Sequence, residues 1–166
     1  MSSNQQNPKS KDSSIAHTSL PMRIKKHIAL VAHDHRKEDM LDWAEYNKNE
    51  LAKHELYGTG TTGGLIQEKL NMHVNRFMSG PLGGDQQMGA AIAEGRIDIL
   101  IFFWDPLQAQ PHDVDVKALQ RLSVVYNIPM ASNRSAADFL ITSPLMNQTY
   151  ERFIVDYSNR LKTEDK

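Results

Sequence analysis

The stretch "DILIFFWD" (98–105) decides the fold. Six consecutive apolar residues between two aspartates leave no polar face, the pattern of a central strand covered on both sides in a parallel sheet. Working outward, "KHIALVAH" (26–33), "HELYGTG" (54–60), "HVNRFMSG" (73–80) and "IPMASN" (128–133) read as four more short strands. Helical spacing fills the gaps. It runs through Met40, Trp43, Ala44, Asn47 and Leu51, through "TTGGLIQEKL", behind Asp85, and through Ala118, Leu119, Leu122, Val125 and Tyr126, with "RSAADFLI" after the fifth strand. Strands alternating with helices predict an α/β fold: a three-layer, Rossmann-like, mostly parallel sheet of about five strands with helices on both faces. The final segment, "ERFIVDYSNRLK", reads as a helix.

The chain of 166 residues suits one domain, expected over 23–162. Residues 1–22, rich in Ser, Asn, Gln and Lys, lack the apolar core of a signal peptide and read as a disordered polar tail. Lys and Arg number 19 against 20 Asp and Glu, a net charge of −1, which gives no global field for nucleic acid. No run approaches the eighteen apolar residues of a membrane span. The chain has no cysteine, which excludes thiolate catalysis and Cys-based metal sites and fits the cytoplasm.

In open α/β sheets, ligands bind beyond the carboxyl ends of the strands. Those ends read "HDHRK", "GTGTTGG", "SGPLGGD", "WDP…PHDVD" and "SNRS", and nearly every unusual cluster falls there. "GTGTTG" (58–63) matches GxGxxG in form, but it follows the second strand rather than the first, so a dinucleotide fingerprint is disfavoured. It reads as a phosphate nest of threonine hydroxyls and helix-start amides, or as a plain glycine-rich turn. His35, Arg36 and Lys37 are expected in the first turn of a helix, where cations oppose the macrodipole; an anionic ligand would relieve this, and a solvated charge cluster is the plainer reading. His33 and His35 form only a weak HxH metal signal, and no metal is expected. Asp85, in "GPLGGDQQMGAAIAEGR", is either a helix cap or a carboxylate kept clear of side chains by the glycines around it.

"HIALVAHDHRK", "GTGTTGGLI", "MSGPLGGDQQMGAAIAEGRIDILIFFWDPL" and "PHDVDVKALQRL" together resemble the methylglyoxal synthase family over about residues 25–157. The resemblance implies that family's fold and a carbon–oxygen lyase acting on dihydroxyacetone phosphate without a cofactor. It implies Asp85 as catalytic base, with His112 and Asp115 also in the catalytic set and His112 polarising the carbonyl. His33, Lys37, Thr59, Gly60, Thr61, Thr62, Ser79, Gly80 and His112 would hold substrate and its phosphoryl group, with Asp34 and Asp105 in support. The family also uses a C-terminal arginine for phosphate, but "YSNRLKTEDK" departs from that pattern and Arg160 is left unassigned. The resemblance further implies a homohexamer, for which Phe153, Ile154 and Val155 offer apolar surface, and cooperative inhibition by inorganic phosphate. The alternative is a non-catalytic module of the same fold that senses phosphorylated metabolites.

Overall fold

The computed structural model describes residues 17–107 and 113–161. Among these residues seven strands, β1 (His17–Met22), β2 (His27–Ala32), β3 (Glu55–Gly58), β4 (Asn75–Arg76), β5 (Ile99–Phe103), β6 (Met130–Ala131) and β7 (Tyr150–Val155), form two sheets. The helices are α1 (Lys37–Tyr46), α2 (Lys48–Leu51), α3 (Gly60–Leu70), α4 (Gly84–Ala93), α5 (Asp113–Val125), α6 (Arg134–Ile141) and α7 (Ser158–Leu161). Five strands make one parallel sheet in the order β4-β3-β2-β5-β6.

β5 explains the layering. Successive strand side chains point to opposite faces. Ile99, Ile101 and Phe103 enter a core with Ile28 and Leu30 of β2, Met40 and Trp43 of α1, Ile66 of α3 and Ile141 of α6. Leu100 and Phe102 enter the other core with Ala29 and Val31 of β2, Met88 and Ile92 of α4 and Leu119 of α5. All five β5 residues are buried. The expected three-layer parallel architecture is therefore present, with β4 and β6 reduced to two residues each at the sheet edges. Among the described residues no helix is long and apolar enough to cross a membrane.

Two expectations fail. Residues 17–22, expected within the disordered tail, form β1, and residues 150–155, expected to be helical, form β7. The two strands pair antiparallel in a separate ribbon, from His17 opposite Val155 to Met22 opposite Tyr150. The polar composition of β1 hid it, because a backbone ladder depends on a partner strand and not on apolar side chains. Tyr150, Phe153, Ile154 and Val155 are strand-favouring residues, and pairing let that preference prevail. Phe153, Ile154 and Val155 are half-buried there.

At the amino end of the parallel sheet lies a group of buried charges. Asp98 accepts hydrogen bonds from the His27 amide (2.8 Å) and from Arg23 Nη1 (3.0 Å). Lys26, 2% exposed, donates its ammonium protons to the carbonyls of Arg23 and Gln148. Arg152, 1% exposed, donates to the Tyr126 carbonyl at 3.0 Å. His54 Nδ1 accepts the Lys26 amide at 3.2 Å. A cavity of about 230 Å³, lined mainly by Met22, Ile99, Ile128, Leu140 and Met146, opens beside Lys26.

Candidate active site

The loops at the carboxyl ends of β2, β3, β4 and β5 converge opposite that cluster. β3 ends at Gly58, and Thr59 turns the chain in extended conformation into α3. The Gly60 amide donates to the Met78 carbonyl (3.0 Å) and the Gly63 amide to the Thr59 carbonyl (2.7 Å). The amides of Thr61 and Thr62 belong to the first turn, where the helix itself offers no acceptor. These amides face where an anion is favoured. The three threonine hydroxyls do not act alike, however. Thr62 is buried with its hydroxyl donating to the Ala32 carbonyl at 3.3 Å, so it ties α3 to β2, whereas Thr61 is exposed.

Beyond β4, Ser79 leads into a 3-10 turn over Gly80–Leu82. The Ser79 carbonyl accepts the amides of Leu82 and Gly84, each at 3.0 Å. α4 packs very closely on this turn: a side chain at Gly84 would place its Cβ 1.9 Å from the Met78 carbonyl oxygen. Asp85 follows. The residue capping α4 is Gly83, with φ +106°, so Asp85 lies inside the first turn and is not the cap. It is 4% exposed. A Cβ at Gly80 would stand 3.2 Å from Asp85 Oδ2 and 3.4 Å from Oδ1. A side chain at Gly80 would therefore crowd the carboxylate, and glycine avoids this.

His33 ends β2 and is buried. Its amide extends the sheet by donating to the Phe103 carbonyl (3.1 Å), and its Nδ1 accepts the Asp105 amide at 3.0 Å. A ring nitrogen that accepts a backbone N–H carries no proton, so the imidazole is neutral with its proton on Nε2. Phe102 meets the ring edge-on at 5.2 Å between centroids. Asp105 in turn folds its own loop, accepting the Leu107 amide at 3.0 Å.

The charges of "HDHRK" are arranged differently from expectation. Asp34–Arg36 form a 3-10 turn and α1 begins at Lys37. Lys37 pairs with Asp34, and Arg36 with Asp39 at 2.9 Å. Carboxylates of the chain itself therefore offset these cations. The Lys37 hydrogen bond holds the Asp34 carboxyl below the usual carboxylate range, and Asp34 stands open to solvent. His112 lies outside the described residues, and Asp115 is in the first turn of α5.

Two residues not singled out in the sequence brace this end. Gln87 Oε1 accepts the Met78 amide at 2.7 Å, and Arg76 Nη2 donates to the Gly60 carbonyl at 2.8 Å. The only trace of Arg76 in the sequence is the glycine pair Gly63–Gly64 inside a helix. The assembled end holds a shielded carboxylate, a neutral imidazole, a lysine and unpaired helix amides. Such a set can move a proton, bind an anion and support a developing oxyanion.

A family profile described as "MGS-like domain" matches residues 39–132. The methylglyoxal synthase of Leptospira interrogans serogroup Icterohaemorrhagiae serovar copenhageni is 58% identical over 139 residues, covering 84% of this chain and 94% of that protein. The methylglyoxal synthase of Pectobacterium atrosepticum is 56% identical over 145 residues, covering 87% and 95%. Among solved structures, the crystal structure of methylglyoxal synthase from Elizabethkingia anophelis NUHP1 matches with a TM-score of 0.83 at 54% identity, over 87% of this chain and 95% of that one.

Proposed function

Because the chain belongs to the methylglyoxal synthase family, we propose that the carboxyl end of its sheet is the active site of a carbon–oxygen lyase. The reaction converts dihydroxyacetone phosphate to methylglyoxal and inorganic phosphate. The observation that carries the site is the Asp85 carboxylate, shielded from solvent yet left approachable by Gly80.

In this reading Asp85 takes a proton from the substrate carbon that bears the free hydroxyl. The electron pair moves onto the carbonyl oxygen and forms an enediolate. His112 donates to that oxygen, an oxyanion-hole contribution, and Asp115 stands with it in the catalytic set. The phosphoryl group lies on the amides of Thr61 and Thr62, beside Thr59, Gly60, Ser79 and Lys37. The enediolate then expels phosphate by breaking the adjacent C–O bond, and the remaining enol loses its hydroxyl proton and gains one on carbon to become methylglyoxal. Elimination requires that C–O bond to stand perpendicular to the enediolate plane, so that it overlaps the π system. His33, fixed by the Asp105 amide, lies beside the substrate in this reading.

Incubation with dihydroxyacetone phosphate, following both products, tests the assignment. Methylglyoxal and phosphate in equal amounts are expected; phosphate without the aldehyde would identify a phosphatase instead.

The site also suits inorganic phosphate as an inhibitor. Substrate curves at several fixed phosphate concentrations should become sigmoidal if phosphate prefers one of two global states of an oligomer; curves that stay hyperbolic leave simple competition. A homohexamer is supported by Tyr46, Val124 and Phe139, apolar side chains that a lone subunit leaves exposed, and light scattering at micromolar concentration reads the mass directly. A cytoplasmic location suits a substrate whose charge keeps it from crossing a bilayer unaided.

A further inference from the structure

Glycine destabilises a helix interior, so the pair Gly63–Gly64 in α3 needs a reason. At Gly63 a Cβ would meet Arg76 Cγ at 3.1 Å and Val74 Cγ1 at 3.2 Å. At Gly64 its three nearest neighbours would all be guanidinium atoms of Arg76, Cζ and Nη2 at 3.2 Å and Nη1 at 3.6 Å. The two glycines clear a strip along α3, and the Arg76 side chain occupies it. Its Nη2 reaches the Gly60 carbonyl at 2.8 Å. Among the described residues Arg76 takes part in no ion pair.

The acceptor of that hydrogen bond matters more than its length. The Gly60 carbonyl and the Thr61 N–H are the two ends of one peptide group. Gly60 opens α3, so the Thr61 amide is among the donors that point out of the helix start. A cationic donor on the carbonyl draws electron density toward it and makes the N–H at the far end a stronger donor, as linked hydrogen bonds polarise one another. The preceding peptide is held as well, since the Gly60 amide donates to the Met78 carbonyl. A guanidinium beside a helix N-terminus also opposes the macrodipole. An anion bound at the same point reverses that penalty.

We propose that Arg76 is a positioning residue for the phosphoryl group, fixing and polarising the Gly60–Thr61 peptide and setting the site's preference for a dianion over a neutral ligand. This rests on reading the start of α3 as the phosphoryl site.

The test compares the full-length wild type with Arg76→Gln, Arg76→Lys and Gly64→Ala. Gly64→Ala favours the helix and only displaces the guanidinium. Steady-state kinetics with dihydroxyacetone phosphate, titration with inorganic phosphate and competition by neutral dihydroxyacetone are measured for each. Arg76→Gln should raise KM and the phosphate Kd about three- to tenfold, the scale of one ordinary hydrogen bond, since Arg76 is exposed, with kcat within about twofold. Binding of dihydroxyacetone should not change. Arg76→Lys should recover part of the loss, and Gly64→Ala should weaken phosphate in the same direction. By NMR, the downfield shift of the Thr61 amide proton on saturation with phosphate should shrink in Arg76→Gln. Unchanged phosphate affinity in Arg76→Gln and Gly64→Ala overturns the proposal, as does equal weakening of the neutral ligand, which marks a merely structural role. A wild type that neither binds phosphate nor makes methylglyoxal overturns the site assignment itself, a result separable from the behaviour of the variants.

Discussion

The two ends of the parallel sheet both gather charged side chains, and they treat them in opposite ways. At the amino end Lys26, Asp98 and Arg152 are buried, and each is answered by backbone groups of the chain, with Arg23 completing the shell of Asp98. At the carboxyl end Asp85 is equally buried, but a glycine stands against its oxygens and the helix amides nearby have no partner within their helix. The amino end is a set of mainly backbone contacts that holds elements together, although Arg152 Nε and His54 Nε2 are buried there without a hydrogen-bond partner. At the carboxyl end, the reading proposed above adds to these contacts a group that is not part of the chain. Burial alone therefore does not distinguish a structural charge from a functional one; what surrounds the charge does.

The sharpest way to break this contrast is Asp85→Asn. A positioned general base is worth roughly 10²–10⁴-fold in rate, so kcat should fall by at least that range while the melting temperature barely moves. Near-normal turnover would reduce Asp85 to a structural residue like those at the other end. Next comes Gly84→Ala. Its Cβ would collide with the Met78 carbonyl oxygen, so the turn carrying Ser79 and Gly80 must shift. Overpacking of this kind costs about 1–3 kcal/mol, read as a lower urea midpoint, and turnover should fall with it. Unaltered stability and activity would show that α4 and the turn are not rigidly joined.

The amino end has its own signature in pH. Burial above all holds the pKa of His54 below its ordinary value of 6.5. A histidine that binds its proton less readily when folded makes acid favour the unfolded chain. Stability from this source is full above pH 6.5 and declines as the pH falls below it. Denaturation midpoints between pH 8 and 5 should therefore drop less in His54→Gln, which keeps an acceptor for the Lys26 amide. Identical slopes for both proteins would count against His54 as the source. The smallest effect belongs to a solvated surface pair. Arg134 and Asp42 form an ion pair with both side chains substantially exposed, and such pairs contribute about 0–1 kcal/mol. Asp42→Asn should shift the melting temperature by little, and less still at high salt.

Sequence reading reached these regions unevenly, for physical reasons. β5 was legible because its residues are apolar without interruption, and that pattern depends on nothing distant. β1 and β7 were not, since each is specified by the other across most of the chain. β4 and β6 were placed but overextended, because only two residues of each find a ladder partner. At Asp85 the sequence left two readings, helix cap or carboxylate kept clear of side chains, and Gly83 holds the cap position. The Thr62 hydroxyl donates to the Ala32 carbonyl, an orientation that sequence cannot show, since it reveals that a hydroxyl is present but not which way it turns. Arg76 and Gln87 escaped notice because their partners are backbone groups of other segments.

The β1–β7 ribbon has a mechanical consequence. Its register sets His17 beside Val155 at the outer end and Met22 beside Tyr150 at the inner end. A force pulling residues 17 and 155 apart therefore loads one rung at a time, like opening a zip, instead of shearing the whole ladder at once. The ribbon would peel at low force while the parallel sheet stayed under no tension. Held between optical traps by these two residues, the protein should yield first in a small early step, with the five-stranded sheet giving way only afterwards.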